Sequence, residues 1–366
     1  MERGSARPRR LDAGRVGRSH RAHAPVEGHD GVLAFDLAGR ELWRRTFGPA
    51  RPPRHRSASS CNPSPVTDGR LVWVYFKSGT LAALTLDGTT VWARSVEEEF
   101  GPDHLVWDVG TSPVLTSNHV VLSVMNGPAS HLAAWDRATG RLAWRVPQAW
   151  PCAYEANQGY TTPMVLSHRG REAVLVWNAE HVTLHDARDG SVIWDCGGLN
   201  PEGRSNWPPV ASPALADGMI LVPYGRGQRL FGLALEGEGD VTATAHRWMR
   251  SDTGSYVPTP LVWRGRLILL RDRHEAECIE PATGRTLWTG RLERSPTPFY
   301  ASPLIAADRL YAVREDGMVF VAALDPEFRV LARNAMGEPI WASPVPLGRR
   351  LLLRGERHLF CIGPPI

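Results

Sequence analysis

The chain is poor in cysteine, with five residues in 366, and lacks any long apolar run. Cys61, Cys152, Cys196, Cys278 and Cys361 lie at least 44 residues apart, so no CxxC motif and no adjacent pair exists. That spacing argues against a zinc ribbon or a dithiol redox motif, and Cys278 and Cys361 fall in apolar strand positions that suit core residues. No stretch of about 18 apolar residues is present, which predicts no membrane-spanning helix. Segments with a 3.6-residue apolar period are also missing, which excludes an α-solenoid. The body has little excess charge. Of the formal net charge of +4, residues 1–30 carry +3, from seven arginines against four acids, leaving about +1 for the rest. Without a basic face the chain is not expected to bind nucleic acid.

What the chain does have is glycine (35), proline (30) and tryptophan (14), distributed with a period. A hairpin with a tryptophan on its second arm recurs, ending at Trp43, Trp92, Trp144, Trp194 and Trp288, with a degenerate copy ending at Trp248. In the five clear copies a glycine precedes the tryptophan by four residues: Gly39, Gly88, Gly140, Gly190 and Gly284. Apolar alternation on both sides of a Gly-containing turn is a hairpin signal, and a repeated hairpin buries its faces only by stacking on its neighbours.

A second marker runs out of phase with the first. Ser-Pro or Thr-Pro occurs with its proline at 65, 113, 163, 213, 260, 303 and 344, at spacings of 48, 50, 50, 47, 43 and 41. Proline is tolerated at the first residue of a strand. A turn and a β-rich run then follow, so each unit holds four strands. Four strands per 40–50 residues predict an all-β propeller of four-stranded antiparallel blades. Eight blades are expected, with an incomplete first or closing blade. Seven result if Glu41–Phe47 instead completes the last unit, which stops after its third strand, residues 358–362. Residues 1–30 read as a flexible Arg-rich tail without a secretory signal pattern, and residues 31–366 as a single domain. The first hairpin, residues 31–47, has no recognisable strands before it, as it would if an upstream stretch were missing.

The pattern AxDxxTGxxxW, cleanest from Ala134 to Trp144, resembles the tryptophan-docking repeat of the pyrroloquinoline-quinone-like (PQQ-like) β-propellers of bacteria, and the similarity covers residues 31–362. The resemblance implies eight blades in which Trp43, Trp92, Trp144, Trp194, Trp248 and Trp288 each pack against the neighbouring blade. Leu331, near the place of a seventh tryptophan, suggests a looser junction. Family members divide between quinoprotein dehydrogenases and cofactor-free scaffolds such as the β-propeller lipoproteins of outer-membrane assembly. The repeat is architectural and does not itself show a bound cofactor. By resemblance the protein is periplasmic or exported.

The loops before the Ser/Thr-Pro markers enter the innermost strands, where ligands of propellers often bind at the mouth of the axial channel. Six of the seven carry an aromatic, namely Trp107, Tyr160, Trp207, Tyr256, Tyr300 and Trp341, and the seventh offers Asn62. Asp108, Glu155, Asn157, Gln158 and Asn206 are polar companions. Such residues either plug the channel and pack between blades, or bind a partner or a small ligand through apolar area and a hydrogen-bonding edge. The expected function is a non-catalytic binding or scaffold role, as a monomer, with a protein partner or small ligand and no cofactor. The alternative is a dehydrogenase using PQQ with calcium, for which Asp108, Glu155 and Asn157 are the nominated oxygen ligands. The vicinal disulfide of many such enzymes is absent.

Three further features read as structural. His181 and His185 share a strand face without a third ligand. Residues Gly225-Arg226-Gly227-Gln228 form a turn rather than a phosphate cradle, since no helix follows. Glu97-Glu98-Glu99 reads as a solvated loop.

Overall fold

The computed structural model describes residues 19–364 apart from 57 and 60. Eight small sheets succeed one another along the chain, giving an all-β, eight-bladed propeller. Six sheets have four strands or more, and the first and last have three, so both terminal blades are incomplete. Glu41–Pro49 pairs with His29–Asp36 in the first blade, which decides for eight blades over seven.

The chain forms two compact units. In the first, blade 1 consists of Ser19–Val26, His29–Asp36 and Glu41–Pro49, and blade 2 of Val66–Thr67, Leu71–Tyr75, Thr80–Thr85 and Thr90–Ser95. Blade 3 follows with Val114–Leu115, His119–Val124, His131–Asp136 and Leu142–Pro147, then blade 4 with Met164–His168, Arg171–Asn178, His181–Asp186 and Val192–Cys196. Blade 4 gains a fifth, parallel strand, Gly239–Asp240, which places Gly239 opposite Trp194.

The second unit holds four more blades. Blade 5 is Ala214–Ala216, Met219–Tyr224, Arg229–Ala234 and His246–Arg250, and blade 6 is Leu261–Trp263, Arg266–Leu270, Glu275–Ile279 and Thr286–Arg291. Blade 7 is Leu304–Ala306, Arg309–Val313, Met318–Ala323 and Arg329–Ala335, and blade 8 is Val345–Leu347, Arg350–Arg354 and Leu359–Ile362. The degenerate hairpin of blade 5 is degenerate because residues 235–245 replace its short turn with an excursion that includes Gly239–Asp240 and the helix Thr242–Ala245.

Within each unit the apolar cores lie between successive blades. Val32, Val72, Val74, Phe76, Ala82 and Leu84 pack with Trp43 and Phe47 between blades 1 and 2, and Leu221, Leu230, Leu267, Leu269 and Ile279 pack with Trp248 between blades 5 and 6. At each of these junctions the indole lies on the hairpin glycine of the next blade. A Cβ on Gly88 would stand 2.7 Å from Trp43, one on Gly140 2.5 Å from Trp92, one on Gly190 2.5 Å from Trp144, and one on Gly284 2.7 Å from Trp248. These glycines also have φ between +67° and +88°, so turn geometry and contact both exclude a side chain. The indole N–H of Trp43 donates to Leu86 O, that of Trp92 to Arg137 O, and that of Trp248 to Pro281 O, at 2.9–3.0 Å. Two residues beyond each of these three tryptophans an arginine donates to the same glycine's carbonyl: Arg45 to Gly88, Arg94 to Gly140, and Arg250 to Gly284.

The Ser/Thr-Pro marker has a second role. Within each unit the hydroxyl before the proline accepts the backbone N–H of its counterpart one blade earlier, at Ser112, Thr162, Thr259, Ser302 and Ser343. Ser64 N donates to Ser112 Oγ and Ser112 N to Thr162 Oγ1 in the first unit. Ser212 N donates to Thr259, Thr259 N to Ser302, and Ser302 N to Ser343 in the second, at 3.0–3.1 Å.

Several expectations need correction. Residues 19–30 are not tail, because they form the first strand and the start of the second, while residues 1–18 lie outside the described residues. This strand turns Arg21 and His23 inward, where Arg21 donates to Leu86 O and His23 stacks on Phe76. A polar residue on the buried face erases the apolar alternation that marks a strand. Glu97-Glu98-Glu99 belongs to a helix, Val96–Phe100, capped by Ser95, with Glu97 paired to Arg51 and Glu99 accepting the Trp135 indole N–H. Cys278 is fully buried as expected, whereas Cys361 is exposed. The residue facing Val321 in blade 7, where the other hairpins carry tryptophan, is Ala332, and Leu331 is the extra, bulged residue beside it.

Candidate functional site

In the first unit, Asp108 is the centre of a buried network. Its carboxylate pairs with the ammonium of Lys77, both side chains being under 5% exposed, and accepts the backbone N–H groups of Arg54 (2.9 Å) and His55 (3.2 Å). Lys77 also donates to Pro52 O at 2.7 Å. Lys77 is the only lysine among 42 basic residues, and that singularity is the sequence signal that could have singled it out. A buried site fed by a backbone carbonyl and one carboxylate oxygen suits a compact ammonium better than a planar guanidinium fork.

Trp107 follows from this anchoring. Its indole N–H donates to Glu155, its backbone N–H to Tyr160 Oη (3.2 Å), and His55 meets its ring edge-on at 5.3 Å. Tyr160 Oη in turn donates to Gln158 Oε1, which also accepts Val106 N. Tyr160 is therefore a buried brace, while Trp107 is 39% exposed, next to exposed Val106 and, beside Glu155 in the chain, Tyr154 at 66%. Asn62 is exposed; it accepts Ser59 N and donates to Val109 O. Asn157, half-buried, makes no hydrogen bond to another described residue. A groove of about 280 Å³ on the same unit is lined by Pro25, Ala50, Arg51, Pro52, Pro53 and Ser59.

In the second unit Trp207 is buried, with its ring on Gly225, Tyr224 edge-on at 5.7 Å, and the Arg229 guanidinium 5.4 Å from its centre. The turn Gly225-Arg226-Gly227-Gln228 is confirmed as a turn, closed by Gln228 N to Gly225 O, and it carries Arg226 over the ring of Tyr256 at 5.1 Å. The N–H groups of Tyr256 and Val257 donate to Asp272, whose carboxyl burial pushes up to about 6 against those hydrogen bonds. The Trp341 indole donates to buried Glu315 at 3.0 Å, and Tyr300 is half-buried. The structure thus joins Trp107, Asp108 and Tyr160 in one network and Trp207 with Tyr256 through one turn. Asn62 reaches the first only through a backbone carbonyl, and Asn157 stands outside it.

The nominated calcium ligands do not fit a cation. Asp108 is neutralised by Lys77 and two amides, and Glu155 is turned onto an indole N–H. Among the described residues no group of three His, Cys, Asp or Glu side chains is placed to hold a metal. His185 is fully buried among Gln148, Thr183 and the Gly190 carbonyl, while His181 stacks on Trp150 at 4.4 Å. Among the described residues no helix is long and apolar enough to cross a membrane.

Comparison with known proteins agrees with this architecture. No curated protein matches the chain by sequence. Among solved structures, BamB from Moraxella catarrhalis superposes with a TM-score of 0.64 at 14% identity, covering 97% of this chain and 96% of that one. A europium-containing methanol dehydrogenase gives 0.69 at 10% identity, covering 95% and 83%. A quinohemoprotein alcohol dehydrogenase from Pseudomonas putida HK5 gives 0.63 at 13%, covering 95% and 70%. At these identities the likeness is one of fold. The family model described as outer membrane protein assembly factor BamB matches residues 28–256 and 178–342, and the chain belongs to this family of PQQ-like β-propellers.

Proposed function

We propose that the protein is a non-catalytic binding or scaffold protein, which engages a protein partner or small ligand through the loops that enter its innermost strands. The observation that carries this reading is the engagement of Asp108. A general base or calcium ligand needs free lone pairs, and this carboxylate is enclosed by Lys77, Arg54 N and His55 N. What the same loops leave open is apolar and aromatic: the faces of Trp107, Val106 and Tyr154. Exposed aromatic and apolar area of this kind is the chemistry of a recognition surface. The likeness of fold to BamB, whose family description is that of an assembly factor, supports a protein partner.

Titration of the protein with pyrroloquinoline quinone and calcium, followed by tryptophan fluorescence and by dye-linked oxidation of alcohols and sugars, tests the reading. Neither saturable quinone binding nor turnover is expected. Turnover that Asn157→Ala abolishes in a folded protein would replace this reading by the dehydrogenase.

A further inference from the structure

The first unit holds a cavity of about 20 Å³ beside the loop that presents Trp107. Leu105, Val109 and Thr111 line it from that loop, Tyr75 from the end of a blade 2 strand, and Ser123 and Asn126 from the end of a blade 3 strand. Thr111 and Asn126 are 5% and 9% exposed, and neither Thr111 Oγ1 nor Asn126 Oδ1 meets a hydrogen-bond partner among the described residues. The orientation of the carboxamide is set by its other end, since Asn126 Nδ2 donates to Pro102 O at 2.8 Å. Its oxygen is therefore the atom left over, and an oxygen of this kind can only accept. Tyr75, 6% exposed, makes no hydrogen bond through its phenol to another described residue. Burial pushes the phenol's pKa up, so it keeps its proton.

We propose that this cavity is a binding site for one water molecule, held by Asn126 Oδ1, Thr111 Oγ1 and Tyr75 Oη, which ties blade 2 to blade 3 at the base of the Trp107 loop. A buried acceptor without a partner costs the full desolvation of the group, so a donor at this place is stabilising. A water needs a cavity of roughly 10–15 Å³ and two to four polar partners, and both conditions are met here. The same volume has no room for an organic ligand. The donors and acceptors also close: water donates to the carboxamide oxygen and to one hydroxyl, and accepts from the other. A cation of similar size does not suit the site. The two carboxylates on its lining are already balanced, Glu97 by Arg51 and Asp103 by Arg54, and a further charge would be buried unpaired. Thr111 ends the loop that carries Trp107, so the same water is a positioning group for that ring.

The test compares the full chain with Tyr75→Phe, Thr111→Val and the double variant, changes that remove a hydroxyl and keep the shape of the cavity. A high-resolution crystal structure of the full chain shows one water within about 2.5–3.0 Å of Asn126 Oδ1 and Thr111 Oγ1. The double variant, left with one side-chain partner, shows none. Thr111→Ser keeps the hydroxyl and retains the water. In urea unfolding the two single changes are coupled through their shared partner. The unfolding constant of the double variant departs from the product of the single effects by about threefold or more. Three results would overturn the proposal. One is a dry cavity in the full chain. The second is additive effects of Tyr75→Phe and Thr111→Val, which makes the two hydroxyls independent. The third is density ringed by six or more oxygens at about 2.3–2.6 Å, which makes the occupant a cation.

Discussion

At the residue scale, stability is concentrated where an indole, a glycine and an arginine meet. Trp92 fills the gap between blades 2 and 3, hydrogen-bonds Arg137 O, and lies where Gly140 leaves room for it. Trp92→Ala is expected to cost about 3–5 kcal/mol in urea unfolding. Gly140→Ala adds a Cβ into the indole at a φ of +67°, and is expected to cost at least about 1–3 kcal/mol by the same measurement. Trp144 marks the contrast. It has no arginine two residues on, and its indole N–H is buried without a partner. Lys77→Met strands the Asp108 carboxylate in a buried site and is expected to destabilise the protein by about 3–5 kcal/mol. The double change Lys77→Met with Asp108→Leu should recover much of that loss, because no charge is then left unpaired.

At the element scale, each of the seven hairpins carries a bulge in its second arm. In blades 2, 3, 4 and 6 the extra residue is Val91, Ala143, Ile193 or Leu287, immediately before the tryptophan. The bulge re-aims the following side chain, which is how the indole leaves its own sheet and reaches the next blade. The inner strands are tied differently, by the chain of Ser/Thr hydroxyls. Ser302→Ala leaves Thr259 N without its acceptor and should cost about 1 kcal/mol in chemical denaturation, while Ser302→Thr restores the bond. Equal stability of Ser302→Ala and wild type would mean that the hydroxyl chain contributes nothing.

At the scale of the whole molecule, acid sensitivity follows from buried histidine. Burial lowers His185 from 6.5 to about 4. Between those values the unfolded chain takes up a proton that the folded chain does not, so stability falls as pH drops from about 6.5 to 4. The slope from this one group is at most about 1.4 kcal/mol per pH unit. His185→Gln, compared with wild type by urea unfolding at pH 7 and pH 5, should show a shallower loss on acidification. An unchanged pH dependence would place the sensitivity elsewhere.

Period alone determined the fold class and the incomplete ends, because a sheet repeat writes its apolar alternation and its turns directly into the chain, whereas eight blades over seven was decided by the pairing of Glu41–Pro49 with His29–Asp36. The Ser/Thr-Pro marker was legible as a position; the acceptor role of its hydroxyl was not, since that bond joins residues some 41–50 apart. The first strand is not legible in the sequence because its buried face holds Arg21 and His23. Of the candidate site, residue identities could nominate Asp108 and Trp107, but not say which was free. Only the tertiary structure brought Lys77 to Asp108 from 31 positions away and so engaged the carboxylate in an ion pair, while leaving the Trp107 ring partly exposed. Local pattern fixes which face of a strand is apolar. Charge pairing and exposure depend on distant segments, which sequence order does not bring together.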